Sequence, residues 1–348
     1  MPTQAHHIPP APLLQHEAQP CLSKGHIVCL TPHNPSQPAP TVSVIINCHN
    51  GAQTLPETLA SLAAQVFTDY EIIFWDNAST DTSLALARKA AQQHAAFYLW
   101  HSKQRMPLGQ ARNCSLAKAR GEFIAFLDSD DLWLPEKLQE QVRLMRRHPA
   151  VGLVCTDARC LLGNRLLPRT FFQRAKPERG MVFAQLMLRQ WVVMSSALVR
   201  RTILDAVKKE GGWFDGALRV CEEADLFYRM ARIAPCDYVA APLTIWRVHG
   251  NNATLRNFDL FAQETRFIVQ KLRRLFPDCM QQHQAVLAAI ERRATIQQAL
   301  ALWRAGQGAA ARGCLRPLQG TKNFAVMLCT WLPPRCFDWL ARLYWRWR

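Results

Sequence analysis

From Thr41 to about Thr156, short apolar runs with strand character alternate with longer stretches of helical periodicity. That alternation limits the fold more than any other feature of the chain. Val42-Ser43-Val44-Ile45-Ile46-Asn47 is β-branched and reads as a buried strand. Glu71 to Asp76, Phe97 to Trp100, Phe123 to Leu127 and Val151 to Thr156 repeat the pattern. Between them lie helical segments: one after Thr54, one after Asp81 running to about Gln93, Leu108 to Arg120, and Glu136 to His148. Thr54 with Glu57 three residues on predicts a capping box, and Leu55, Leu59, Leu62 and Val66 predict its apolar face. The expected fold is α/β, a mostly parallel sheet with helices on both faces.

Three of these strands end in polar or acidic residues: His49 and Asn50 after the first, Asp76 at the second, and Asp128-Ser129-Asp130-Asp131 after Phe123 to Leu127. A parallel sheet brings such ends to one edge, where open α/β sheets bind ligands. The acidic cluster admits a plain reading, a turn that caps the next helix, since Asp and Ser are good N-caps. Carboxylates so close also repel unless a cation joins them. Mg²⁺ or Mn²⁺ takes oxygen ligands, so the cluster reads as half of a metal site, with phosphate oxygens as the other half.

Beyond Thr156 the pattern loosens. Arg159 to Pro177 reads as a mobile basic loop, and Val192 to Val199 as a strand. Cys221-Glu222-Glu223-Ala224-Asp225 opens a helix, where acids favour the macrodipole. Residues 1–40 are rich in Pro, His and Gln and read as a flexible tail. Residues 41–257 read as one α/β domain and 258–348 as a basic helical region. The chain has 348 residues, and 42 Lys and Arg against 26 Asp and Glu give a net charge of +16, which suits an anionic partner. From Glu291 onward ten basic residues face only Glu291 and Asp338, with Trp303, Trp331, Trp339, Tyr344, Trp345 and Trp347 interleaved. That composition suits a membrane interface; the plain alternative is a helical appendage with Trp in its core. The twelve cysteines form no C-x-x-C pair, which is expected of reduced thiols in a cytosolic protein. No signal peptide and no spanning run of about 18 apolar residues is expected.

Four segments together resemble the family 2 glycosyltransferases, which have the GT-A fold. Val42 to Asn50 resembles the opening strand and loop, with His49 where Tyr is usual. Glu71 to Asp81 resembles the Asp-Asp-Gly-Ser-Thr-Asp segment, with Asn77 in place of the second Asp. Ala111-Arg112-Asn113 followed by Gly121 to Asp131 resembles the Ala-Arg-Asn helix and the Asp-X-Asp strand. Glu222 to Leu226 resembles Glu-Asp-X-Asp-Leu. The resemblance covers roughly Thr41 to Thr254. It implies inverting transfer of a sugar from a nucleotide-sugar, a UDP-sugar first among candidates, to an acceptor hydroxyl; a glycan or lipid-linked acceptor is expected, the latter in keeping with a peripheral place of 291–348 on an anionic membrane surface. It further implies that Asp76 and Arg112 contact the base, with His49 and Asn50 nearby. Asp128 and Asp130 serve ribose and metal, Asp130 as direct ligand. Glu223 stands at the place of the catalytic Asp, one methylene longer. By the same resemblance His249 lies near the diphosphate. Independently of it, the basic residues Arg165, Arg169, Arg174 and Lys176 are of a type that can add to leaving-group stabilisation.

Three other classes compete. A haloacid-dehalogenase-type phosphohydrolase wants Thr or Val directly after the second Asp, where this chain has Asp131. A sugar nucleotidyltransferase wants a Gly-rich basic loop after the first strand, and Cys48-His49-Asn50-Gly51 is not one. A nucleic-acid-binding protein explains the charge but not carboxylates at three strand ends. No nucleic-acid partner is expected.

Overall fold

The computed structural model describes residues 27–31, 38–249, 252, 257–318, 326–334 and 336. Regular structure reaches into the segment expected to be a flexible tail. Within the presumed tail, β1 (Ile27–Cys29) pairs antiparallel with a strand formed some seventy residues later, Ile27 opposite Ser102. The rest of the presumed tail lies outside the described residues, apart from a few positions near 30 and 40.

Every residue of β2 (Val42–Cys48) and of β3 (Tyr70–Asn77) is buried. A strand covered on both faces needs such an unbroken apolar run. The two pair in parallel, Val42 opposite Tyr70 and Cys48 opposite Asp76. Parallel partners flank them: β4 (Phe97–Ser102) beside β3 and β5 (Phe123–Phe126) beside β2. The chain therefore runs outward from β2 to β4 and returns to β5. Its direction reverses between β2 and β5, which opens a crevice at their carboxyl ends. The crossovers are α1 (Leu55–Ala63), α2 (Ser83–Ala91) and α3 (Leu108–Leu116). Thr54 does sit at the N-cap of α1 but makes no capping bond. Its hydroxyl donates instead to the carbonyls of Gly51 and Ser129, tying the β2 loop to the β5 loop. Val66, expected on the apolar face, is 54% exposed.

Past β5 the sheet becomes mixed. Next come β6 (Leu132–Trp133), α4 (Lys137–Arg147) and the long β7 (Leu153–Leu162). The basic stretch expected as a loop is a hairpin strand, β8 (Arg165–Thr170), followed by the short α5 (Phe171–Arg174), whose N-cap Thr170 and Gln173 form a capping box. After α6 (Phe183–Leu188), only β9 (Ala197–Arg200) of the expected strand is extended, because Met194–Ser196 turns in a 3₁₀ helix. Then follow α7 (Arg201–Gly211), α8 (Glu222–Ile233) and β10 (Cys236–Val248). The sheet order is β1-β4-β3-β2-β5-β9-β7-β10-β6, with β8 on β7. β9 runs antiparallel to β5 and β7, and β10 parallel to β7. Two apolar cores cover the two faces, one around Ile46, Leu62 and Phe74, the other around Ile45, Phe126 and Phe227.

The opposite edge of the sheet carries a carboxylate as well, but a satisfied one. Glu71 is fully buried and accepts from Ser43 Oγ at 2.6 Å and from Arg120 Nη2 at 2.7 Å. Gly121 lies against this network, and a Cβ there would stand 2.5 Å from the Ser43 nitrogen.

The helices Phe261–Leu275, Pro277–Gln281, Gln284–Arg304 and Gly308–Leu315 close the described chain. Trp303 is buried and its indole donates to the Leu332 carbonyl at 2.8 Å, so this ring is packing. Trp331 is 69% exposed, with Arg312 3.7 Å from its ring centroid. Trp339, Tyr344, Trp345 and Trp347 lie outside the described residues. Among the described residues no helix is long and apolar enough to cross a membrane. Among the described residues ten cysteines are free, whereas Cys114 on α3 is disulfide-bonded, an exception to the expectation of reduced thiols throughout.

Candidate active site

The carboxyl ends of β2, β3 and β5 meet as expected, and side chains from the loops lace them together. Asn50 adopts a positive φ of 54°, which Asn tolerates better than most residues. Its carboxamide oxygen accepts from the Thr80 amide at 2.7 Å, and its own amide donates to Ser79 Oγ at 3.0 Å. Asn50 thus shapes the β3 loop. His49 Nδ1 lies 2.9 Å from the Asn77 carbonyl. Asn77 explains itself: its Nδ2 donates to the Met106 carbonyl at 2.9 Å while its Oδ1 accepts from the Met106 amide at 3.0 Å. An ionised Asp could accept there but not donate.

Asp76 is fully buried. Its Oδ2 accepts from the Ser79 amide at 3.1 Å and lies 2.8 Å from His101 Nδ1. Its Oδ1 is buried without a hydrogen-bond partner. Such an orphan acceptor is costly unless a ligand donor meets it.

Arg112 is 3% exposed and joins two segments remote in sequence. Nη2 donates to Asp128 Oδ1 at 2.8 Å and Nη1 to Glu222 Oε1 at 2.7 Å. The adjacent Asn113 exchanges two hydrogen bonds with the Phe214 backbone, at 2.8 and 2.9 Å, which fixes the loop leading to α8. The start of α8 is held from the far side by Glu264, whose carboxylate accepts from the amides of Arg219, Val220 and Cys221 at 2.8 to 3.0 Å.

The three acids of α8 separate by their partners. Glu222 pairs with Arg112. Asp225 is fully buried and pairs with Arg229 at 2.8 Å and Lys271 at 2.9 Å. Unlike Glu222 and Asp225, Glu223 forms no ion pair among the described residues; its withdrawal from water, with Glu222 next, pushes its pKa up to about 8, against the pull of Arg112 and of a hydrogen bond from its own backbone. Arg112 and Asp128 lie close enough to influence it too.

The acidic turn divides similarly. Asp131 is buried, accepting from Ser195 Oγ at 2.5 Å and from the Arg247 amide at 2.9 Å, and burial holds its carboxyl well above the usual range. It ties the β5 loop to β10. Ser195 Oγ also accepts from the Asp128 amide at 3.0 Å. Asp128 and Asp130 keep side chains 37% and 26% exposed. His249 Nε2 lies 2.9 Å from Asp130 Oδ2, and Arg247 donates to the Asp130 carbonyl at 2.9 Å and to Glu57 at 2.6 Å. Two accessible carboxylates fit a hard divalent cation. Among the described residues no cluster of three metal-ligating side chains exists, so diphosphate or water oxygens would complete the shell.

Arg165 and Arg169, expected to assist the leaving group, are exposed on the β7–β8 hairpin. His101, Ser195 and Glu264 escaped the sequence reading. No local motif marks them, since each acts on residues dozens of positions away.

Residues 43–207 match the family model described as glycosyl transferase family 2. EpsE of Bacillus subtilis, provisionally named a glycosyltransferase, is 32% identical over 174 residues, which is 47% of this chain and 59% of EpsE. The UDP-Glc:α-D-GlcNAc-diphosphoundecaprenol β-1,3-glucosyltransferase WfaP of Escherichia coli is 35% identical over 104 residues, 30% of this chain and 41% of WfaP. The chain thus spans about half the length of these relatives. The mannosyltransferase PcManGT of Pyrobaculum calidifontis, solved with GDP-Man and Mn²⁺, superimposes with a TM-score of 0.56 at 20% identity, over 86% of this chain and 83% of that one. The fold is therefore GT-A, a mixed α/β sheet with C-terminal helices.

Proposed function

We propose that this chain is a family 2 glycosyltransferase that moves a sugar from a nucleotide-diphosphate sugar to an acceptor hydroxyl with inversion. One observation carries the reading: Glu223, the one acid of its helical turn that forms no ion pair among the described residues, stands within the field of Asp128 at the strand edge. An acceptor hydroxyl is a poor nucleophile, and an ionised Glu223 in reach takes its proton during attack. A single base serving a single displacement gives inversion. Arg112 holds Asp128 and Glu222 in place, which keeps two further carboxylates from competing for that proton. The orphan oxygen of Asp76 suits a base that offers one ring N–H, as uracil does, with His49 and Asn50 forming the neighbouring wall. A divalent cation bound by Asp128 and Asp130 would offset charge developing on the departing diphosphate. His249 orients Asp130.

The donor and acceptor in WfaP's name support a UDP-sugar and a lipid-linked acceptor, and the Mn²⁺ bound with PcManGT supports the metal. The product belongs to cell-surface polysaccharide or glycolipid synthesis. The region 291–348 attaches the protein to the inner face of a membrane, with Leu328, Trp331 and Leu332 exposed and Arg312 over the Trp331 ring. A panel of UDP- and GDP-sugars with Mn²⁺, read by release of nucleoside diphosphate and by NMR of the product's anomeric proton, tests the chemistry. No release from any donor, or retention at the anomeric carbon, defeats it.

A further inference from the structure

The β7–β8 hairpin stands at the rim of the candidate site. Leu161 and Leu162 face Arg247 and Val248 of β10 on one side and Leu166 and Arg165 of β8 on the other. The same end of β10 supplies Arg247 and His249 to Asp130. Gly163, at the turn, has a φ of +58°, and a Cβ there would meet nothing within 4 Å. Among the described residues nothing therefore covers the tip. Leu162 is 47% and Leu166 40% exposed. Between Ala158 and Pro177 stand four arginines, one lysine and no acid. Of these, Arg159, Arg165, Arg169 and Lys176 are exposed.

Exposed leucines occur singly on many surfaces and carry little meaning. Here two of them crown a turn in a stretch, 159 to 176, whose charged residues all have one sign. A polyanion such as nucleic acid would use the arginines but leave the leucines in water. A bilayer rich in anionic lipid uses both, the cations at the phosphates and the apolar tip at the acyl boundary. We propose that this hairpin docks on an anionic lipid surface and turns the rim of the site toward it. The proposal deepens the lipid-linked acceptor reading and rests on it for its use, although the docking itself needs neither donor nor acceptor.

The test is amide hydrogen exchange of the full chain on phosphatidylcholine–phosphatidylglycerol vesicles and on phosphatidylcholine alone, with vesicle partitioning in parallel. Peptides covering 159–170 should exchange more slowly on the anionic vesicles only, and the protection should vanish in high salt. Arg165→Ala with Arg169→Ala should weaken partitioning about thirty-fold, roughly five-fold for each cation. Leu162→Ser with Leu166→Ser should weaken it on the same vesicles; all four positions are exposed, so the hairpin can still form. Binding with unchanged exchange at the tip overturns the proposal and leaves attachment to the C-terminal region. No binding to anionic vesicles at low salt overturns both. Protection that grows with protein concentration in the absence of vesicles assigns the tip to a second copy of the chain and also overturns it. Failure of every donor in the hydrolysis panel would defeat the transferase reading without altering these outcomes.

Discussion

Replacing Arg112 by Met removes the cation between Asp128 and Glu222 while keeping an unbranched chain of similar length. The two losses differ. Asp128 has a side chain 37% exposed, so water takes over most of its pairing and the cost there is at most about 1 kcal/mol. Glu222 is 3% exposed, and its Oε2 already lacks a partner. Leaving a buried charge unpaired costs about 3–5 kcal/mol. We expect the lower end, about 3 kcal/mol near neutral pH, because the carboxyl can protonate instead. At about 2 °C per kcal/mol for a chain of this size, the melting temperature should fall by about 6 °C. The pH dependence follows from the direction of the shift. Burial already raises the Glu222 pKa above its ordinary value, against the opposing pull of Arg112. Removing Arg112 raises it further. A carboxyl with a raised folded pKa carries no penalty below its unfolded value of about 4.3 and loses stability as pH rises through the folded one. The deficit of Arg112→Met should therefore shrink toward pH 5 and widen toward pH 8. Adding Glu222→Gln should recover much of it. Differential scanning fluorimetry of the single and double variants across pH 5 to 8 measures this. A deficit that is the same at both ends, or no recovery in the double variant, would refute the claim that Glu222 depends on Arg112.

Glu223→Gln should lower transfer by about 10²-fold or more while donor binding by calorimetry persists; a mild loss beside a severe one for Asp225→Asn would show that the base is misassigned. In the unaltered enzyme kcat/KM should fall as pH drops below about 8, because the base acts ionised and its pKa is held near 8; a flat profile from pH 6 to 9 contradicts that. Asp130→Ala should remove turnover and Mn²⁺-stimulated nucleotide binding without lowering the melting temperature, and full activity of the parent in excess chelator would exclude the metal. Gly121→Ala drives a Cβ against the backbone of Val42 and Ser43 at 2.7 and 2.5 Å and should cost about 1–3 kcal/mol in thermal stability with the site's chemistry intact.

Strand identity in the first half of the chain is local, since a run such as Val42–Cys48 carries its burial in its composition. The positions of Asp76, Asp128 and Asp130 at strand ends were legible for the same reason. Partnership is not local. Glu222, Glu223 and Asp225 share one helical turn and look alike in sequence. Arg112, 110 positions before Glu222, and Lys271, 46 after Asp225, separate them and leave Glu223 outside any ion pair among the described residues. Asp131 stands beside Asp130, yet Ser195 and Arg247 draw it into the structure. Asn50 and Asn77 carry polar groups that suit a ligand, but the backbones of Thr80 and Met106 take them. The antiparallel turn of the sheet beyond β5 and the strand in the basic segment also depended on neighbours far along the chain. Periodicity and side-chain chemistry therefore determined which elements form and where acids gather. Only the packed structure decided which acids are neutralised and which remain open, because a buried group's charge and availability depend on what lies within a few ångströms of it.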